Sequence, residues 1–171
     1  MELKPKVLEA INKQINRELF SAYLYMSMAA DLTIKGLPGF TNWMRIQAQE
    51  EMMHADKFYN YVLERNSRVI LQPIEAPQHE WKSLLDIFEA SLEHEKTVTK
   101  MLENILELAR NEKDYATEIL LQWYITEQVE EESSVTKIID DLKLAGDAKS
   151  PIFMLDRELG QRTLNTTEVQ A

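Results

Sequence analysis

In four separate stretches of this chain an apolar stripe at heptad spacing is broken by buried-face polar residues near its middle. The first reads Leu8, Ile11, Ile15, Glu18, Ala22, Tyr25, Ala29 and Leu32, with Glu18 the only charge. The second reads Phe40, Met44, Gln47, Glu51, His54, Phe58 and Val62. The third, Leu85, Phe88, Leu92, Glu95, Thr99, Leu102, Leu106 and Ala109, is charged only at Glu95. The fourth, Leu121, Tyr124, Gln128, Glu131, Val135, Ile138, Leu142 and Ala145, breaks at Gln128 and Glu131. Spacings of three and four residues place each set on one face of a helix. Four such faces need one another, so the pattern demands a helical bundle whose core carries carboxylates at mid-height.

Helix boundaries follow from proline, glycine and polar signals. The spacing predicts helices over about 5–33, 38–66, 82–110 and 114–145, then a short fifth over 151–162. Pro5 suits a first helical turn, Gly36 and Gly146 suit stops, and Ser150-Pro151 suits the start of the last helix. The tail 163–171 is polar and reads as frayed. Two connections are only a few residues long, which makes antiparallel hairpins of the first and second pairs. The third, residues 67–81 with Pro73 and Pro77, is different. A helix of ~29 residues is roughly 43 Å long. Fifteen extended residues reach about 50 Å, so this loop can cross the whole bundle. The expected fold is all-α: a four-helix bundle with one long crossover loop plus a short C-terminal helix, in a single domain over 1–171.

Composition narrows the chemistry. There is no cysteine, which excludes disulfides, thiol catalysis and cysteine-held metal clusters and suits a cytoplasmic protein. The net charge of −10 disfavours nucleic acid and favours cations as cargo. No apolar run approaches the ~20 residues of a membrane span. The start, Met1-Glu2-Leu3-Lys4-Pro5-Lys6, does not read as a signal peptide.

Mid-helix positions meet at one level whichever way each helix runs. Glu18, Glu51, Glu95, Glu131, His54 and Gln128 therefore converge in the core. Four carboxylates cannot all stay ionised there without cations. Oxygen-rich ligands with one imidazole suit iron or manganese better than zinc. Glu50, Glu127 and Glu130 each precede a stripe residue and are turned about 100° from it in the same sense. They form either a further cation patch beside the centre or a solvated acidic face.

The segments Glu18…Tyr25, Gln49-Glu50-Glu51-Met52-Met53-His54, Glu93-His94-Glu95 and Leu121 to Glu132 resemble the non-haem ferritins of bacteria and archaea, over residues 5 to 162. The resemblance implies a ferritin-like fold and a homo-oligomeric shell of 24 subunits. Such a shell takes up Fe(II), oxidises it with O2 or hydrogen peroxide and stores ferric mineral. By that likeness Glu18, Glu51 and His54 hold one iron. Glu51 bridges to a second, held also by Glu95 and Glu131, with Gln128 beside it and Tyr25 hydrogen-bonded to Glu95. Glu50, Glu127 and Glu130 would hold a third iron with Glu131. Tyr25 and Trp123 read equally as electron donors and as plain core.

Three rivals share parts of the pattern. A haem-binding bacterioferritin carries a methionine where Met52 stands, but it also supplies a second Glu-x-x-His from the last long helix. Here that helix has Gln128-Val129-Glu130-Glu131, so no haem is expected. A rubrerythrin-like di-iron peroxidase needs more carboxylates and usually a cysteine-bound iron. A DNA-binding mini-ferritin places its iron between subunits and often carries a basic tail. His79 and His94 read as solvated histidines without a role.

Overall fold

The computed structural model describes residues 2–164. Five helices follow in order: α1 (Pro5–Ile34), α2 (Pro38–Glu64), α3 (Leu84–Asn111), α4 (Tyr115–Ala145) and α5 (Lys149–Leu159). Pro5 and Pro38 stand in the first turns of α1 and α2, where a missing N–H costs nothing. Ser83 caps α3 by accepting from Asp86 N, and Asp114 caps α4 by accepting from Thr117 N. The fifth helix runs from Lys149 to Leu159 rather than over 151–162: Ala148 is its N-cap, which puts Pro151 within the first turn, and Gly160 ends it. The frayed tail predicted over 163–171 lies outside the described residues from 165 onward.

α1 pairs with α2 and α3 with α4, while α1 also lies against α3. The crossover loop runs along the length of α1. Ser67 Oγ accepts from Leu3 N at 3.2 Å, Asn12 Oδ1 from Ile70 N at 2.8 Å, and the Gln78 carbonyl from Ser27 at 2.7 Å. Lys35, just past the far end of α1, donates to the Trp81 carbonyl. The loop thus leaves beside the start of α1 and arrives beside its end. α3 therefore starts at the same end of the bundle as α2 and runs parallel to it. At the other end a forked pair, Arg65 Nη1 and Nη2 on the two Asp114 oxygens at 3.0 and 3.1 Å, locks the end of α2 to the turn before α4.

α5 folds back over the start of α2. Its buried Asp156 accepts from the Gly39 and Phe40 N–H groups at 2.8 and 3.0 Å, so one helix caps another. This dock explains Gly39. A Cβ there would lie 1.5 Å from the Asp156 carbonyl oxygen, a backbone atom that cannot step aside without moving α5.

The apolar core is two bodies, not one. One gathers Leu24 to Leu32, Phe40 to Ala48, Ile87, Phe88 and Val135 to Leu142. The other gathers Val7 to Ile15, Phe58, Val62, Val98 to Ala109, Leu121 and Tyr124. The level between them belongs to the residues that break the four stripes.

On α2 every stripe residue is buried. On α3 the stripe is rotated. Ser91, Val98 and Ile105 are buried, whereas Leu92, Thr99 and Leu106 are only half-buried. α3 must cover α1 as well as α4, and the face turned toward α1 pulls the buried set round by one residue. The same rotation corrects the reading of His94 as solvated. It is buried, with Nε2 2.7 Å from Ser21 Oγ and Nδ1 3.1 Å from Arg17 Nη2. Burial and then Arg17 pull its pKa down to about 3, so the ring stays neutral. His79, in the crossover loop, is exposed.

Candidate metal centre

The six stripe-breaking residues expected to converge are all buried: Glu18, Glu51, His54, Glu95, Gln128 and Glu131, none more than 8% exposed. Each is carried mid-helix by regular turns, so no loop contributes to the layer and its geometry is as rigid as the bundle.

The first half of the layer is converged. Glu18, Glu51 and His54 each offer an atom within 4.8 Å of the others, the only such group among the described residues. Glu51 Oε2 lies 3.5 Å from His54 Nδ1. Gln14 Nε2 donates to Glu18 Oε1 at 2.8 Å, while Glu18 Oε2 has no hydrogen-bond donor. A buried carboxylate oxygen left unsatisfied is costly, and a cation would complete it. Tyr124 donates from its hydroxyl to the His54 carbonyl at 2.7 Å, and the Trp123 ring stands edge-on to the imidazole at 5.5 Å. Lys57 lies over the outer part of that indole at 4.0 Å, so Trp123 bridges core and surface.

The second half is held by neutral donors. Tyr25 donates a short hydrogen bond to Glu95 and lies 3.0 Å from Ser91 Oγ. Gln128 Nε2 reaches Glu95 Oε2 at 3.1 Å and Thr99 Oγ1 at 3.2 Å. Gln47 Nε2 donates to Glu131 Oε2. Gln47 broke its stripe in the sequence yet carried no assigned role there. Ser91 and Gln14 gave no signal beyond their polarity.

Electrostatics bind the halves together. Burial pushes Glu18 and Glu95 upward from the ordinary carboxylate range. Burial raises Glu51 much further, reinforced by Glu95, Glu18 and Glu131. Burial, then Glu95, pushes Glu131 up to about 8. Tyr25 is likewise driven well above its normal value by burial and then by Glu95. Metal-free, the layer keeps protons to avoid mutual repulsion. Divalent cations can replace those protons.

The flanking glutamates are arranged differently. Glu50 is half-buried and receives Arg162 Nη2 at 2.6 Å. Glu127 is half-buried on the side of Lys57, and Glu130 is exposed. The structure does not draw these three into a converged group as it does Glu18, Glu51 and His54. Met52, half-exposed, lines an outer groove with Met26, Arg45 and Met53.

The comparisons agree with this geometry. Residues 8–145 match the family described as the ferritin-like domain. The bacterial non-haem ferritin of Staphylococcus epidermidis is 42% identical over 163 residues, covering 95% of this chain and 98% of its own. That of Staphylococcus aureus is 40% identical over the same shares. Among solved structures, an engineered closed form of the Archaeoglobus fulgidus ferritin superposes with a TM-score of 0.95 at 48% identity, covering 96% of this chain and all of that one. The open-pore ferritin of the same archaeon gives 0.93 at 50% identity, covering 94% and 98%. By fold, by the mid-bundle layer and by these relatives, the chain belongs to the ferritin family, among the non-haem ferritins.

Proposed function

We propose that the polar layer is a di-iron ferroxidase centre serving iron storage and detoxification, with Fe(II) as substrate. The observation that carries this reading is the division of the core into two apolar bodies by buried carboxylates from all four long helices. Glu18, Glu51 and His54 take the first Fe(II). Glu51 bridges to the second, which Glu95 and Glu131 hold. Gln128 stands beside it and Tyr25 orients Glu95. Each Fe(II) gives up one electron. O2 accepts the pair and two protons to become hydrogen peroxide, or hydrogen peroxide accepts them to become two waters. Taking both electrons at one centre avoids one-electron oxygen products. One imidazole among several carboxylates suits a substrate metal that must load as Fe(II) and leave as Fe(III).

The finer parts of the reading have their own supports. Glu50, Glu127 and Glu130 beside Glu131 form a candidate third iron patch. A closed shell of 24 subunits is supported by apolar surface that one chain leaves uncovered: Phe153 and Met154 on α5, Met26 and Met52 on the outer groove, Ile70 and Leu71 in the crossover loop. The absence of cysteine suits a cytoplasmic location, and among the described residues no helix is long and apolar enough to cross a membrane. Bacterioferritin and a rubrerythrin-like peroxidase are not favoured, since α4 offers Gln128 and Glu131 without a histidine and the chain has no cysteine.

Two measurements test the reading. A crystal soaked anaerobically in Fe(II) should show iron at Glu18–Glu51–His54 and at Glu51–Glu95–Glu131; metal bound only at the surface would overturn it. Light scattering should give a mass far above one chain, and a monomer across protein and salt concentrations would remove the shell.

A further inference from the structure

Arg162 lies beyond α5, more than a hundred residues along the chain from Glu50, yet its side chain reaches the edge of the centre. Its guanidinium sits over the Trp43 ring at 4.6 Å. Nη2 meets Glu50 Oε2 at 2.6 Å, and Nη1 meets Gln47 Oε1 at 2.7 Å and the Trp43 carbonyl at 3.4 Å. Asn42 Nδ2 holds the backbone there, donating to the Arg162 carbonyl at 3.0 Å and the Leu159 carbonyl at 3.3 Å. Gln47 is fully buried, and its other end donates to Glu131.

A guanidinium carries only donors, so the end of the Gln47 amide facing Arg162 must be its oxygen. The end facing Glu131 must then be the N–H. A flipped amide would set an oxygen against a carboxylate oxygen at one end and an N–H against the guanidinium at the other. Arg162 thereby reinforces the setting in which Glu131 meets a donor. With Oε2 held by Gln47, the second Glu131 oxygen is the one left for a cation. The fork matters as well as the charge. One nitrogen serves Glu50 while the other serves Gln47, which the point charge of a lysine cannot reproduce.

We infer that Arg162 is a positioning residue for the second iron position: it sets the Gln47 amide so that its N–H holds Glu131, and it ties that setting to the seat of the C-terminal segment. The inference rests on the reading of Glu131 as a ligand of the second iron. It makes the second half of the centre sensitive to α5, while Glu18, Glu51 and His54 have no such link.

The test is anaerobic calorimetric titration of the assembled protein with Fe(II), which reads binding without turnover. Wild type should take at least two Fe(II) per chain, the first two in distinguishable steps. Arg162→Ala should weaken the second step roughly tenfold or more, as loss of an outer partner of a metal ligand does, and leave the first unchanged. Gln47→Leu should weaken the same step alike, and the double variant should be no worse than either single one. Arg162→Lys should restore the pair with Glu50 yet stay weak at the second step. Asn42→Ala, which loosens the seat of Arg162 without removing its guanidinium, should lower thermal stability, weaken the second step less than Arg162→Ala does, and leave the first as in wild type. Unchanged affinities in Arg162→Ala, equal weakening of both steps, or an Asn42→Ala effect as large as that of Arg162→Ala would overturn the inference. A wild type that takes up only one Fe(II) per chain would overturn the di-iron reading itself, and the inference with it.

Discussion

The two halves of the candidate metal centre are built on opposite plans. Glu18, Glu51 and His54 stand within 4.8 Å of one another, and one Glu18 oxygen is buried without a donor. Glu95 and Glu131 are instead engaged by Tyr25, Gln128 and Gln47. The first half leaves a buried oxygen with no neutral donor on it, whereas in the second each carboxylate already has at least one. Filling the first position relieves an existing cost, whereas filling the second trades hydrogen bonds for metal bonds. The difference predicts ordered loading, tight site first, and a second position that fills less readily and empties more easily. That asymmetry suits a centre whose product must leave.

Glu51 joins the halves, so its loss should have the largest effect. On the proposed di-iron reading, Glu51→Ala leaves neither iron its ligand set or its spacing. Fast oxidation after mixing with Fe(II) in air should fall by at least about 100-fold in stopped-flow absorbance, the scale expected when reacting groups are misplaced. The shell should persist, because removing one of several mutually repelling buried carboxylates relieves the metal-free bundle. Wild-type rates in an intact Glu51→Ala shell would mean that the chemistry lies elsewhere.

Gly39→Ala should separate the halves rather than destroy both. The new Cβ drives α5 from its seat at Asp156 and carries Arg162 with it. The first Fe(II) should still bind with wild-type affinity, while the second weakens roughly tenfold, as on loss of an outer partner of the ligands. Thermal stability should drop at the same time, since α2 loses a cap worth about 1 kcal/mol. Equal weakening of both steps would show that the link to α5 is not confined to the second half.

How much of this was legible beforehand follows from where each signal lies. Glu18, Glu51, His54, Glu95, Gln128 and Glu131 could be read because each breaks a regular stripe, and a charge at a core position is conspicuous in one dimension. The crossover loop could be read because length against reach is arithmetic. The buried flank of α3 at Ser91, His94, Val98 and Ile105 could not, because it depends on which neighbour that helix leans toward. Arg162 gave no signal at all. It follows a short helix, sits 112 positions from the glutamate it pairs with, and belongs to the centre only through the fold. Stripe defects report the residues that face a metal, while the residues that orient them come from anywhere.

Protonation offers a milder probe of the layer that both halves share. A glutamate ordinarily titrates near 4.5, and in the fold Glu131 is pushed up to about 8 by burial and by Glu95. Between those values the folded metal-free chain holds a proton that the unfolded chain has lost. Stability from that proton is fully present below the lower value and is lost as pH rises through the upper one. The thermal midpoint of the metal-free protein should therefore decline from about pH 5 to pH 8, by something on the order of 5 °C. Glu131→Gln should flatten the decline, because a neutral amide has no proton to lose. A midpoint that rises with pH in wild type would mean that the second half is not the proton store described.

The smallest effect is expected outside the layer, at Glu130. This glutamate is exposed, and the structure does not gather it with Glu50 and Glu127 as it gathers Glu18, Glu51 and His54. If the flanking glutamates hold a third iron, that iron needs Glu131 as well, and it must share Glu50 with Arg162. Such a position would fill last and bind weakest. Glu130→Ala should then leave the fast oxidation of the first two Fe(II) at its wild-type rate, because no ligand of either is touched. What should change is the ratio of Fe(II) oxidised to O2 consumed, since a third Fe(II) supplies an extra electron. The measurement is oxygen-electrode titration at increasing Fe(II) per chain, read beside an iron-soaked crystal of the same variant. An unchanged ratio, with no third iron in the wild-type crystal, returns Glu50, Glu127 and Glu130 to the role of a solvated acidic face. The contrast between a converged first half and a satisfied second half would then describe the whole centre.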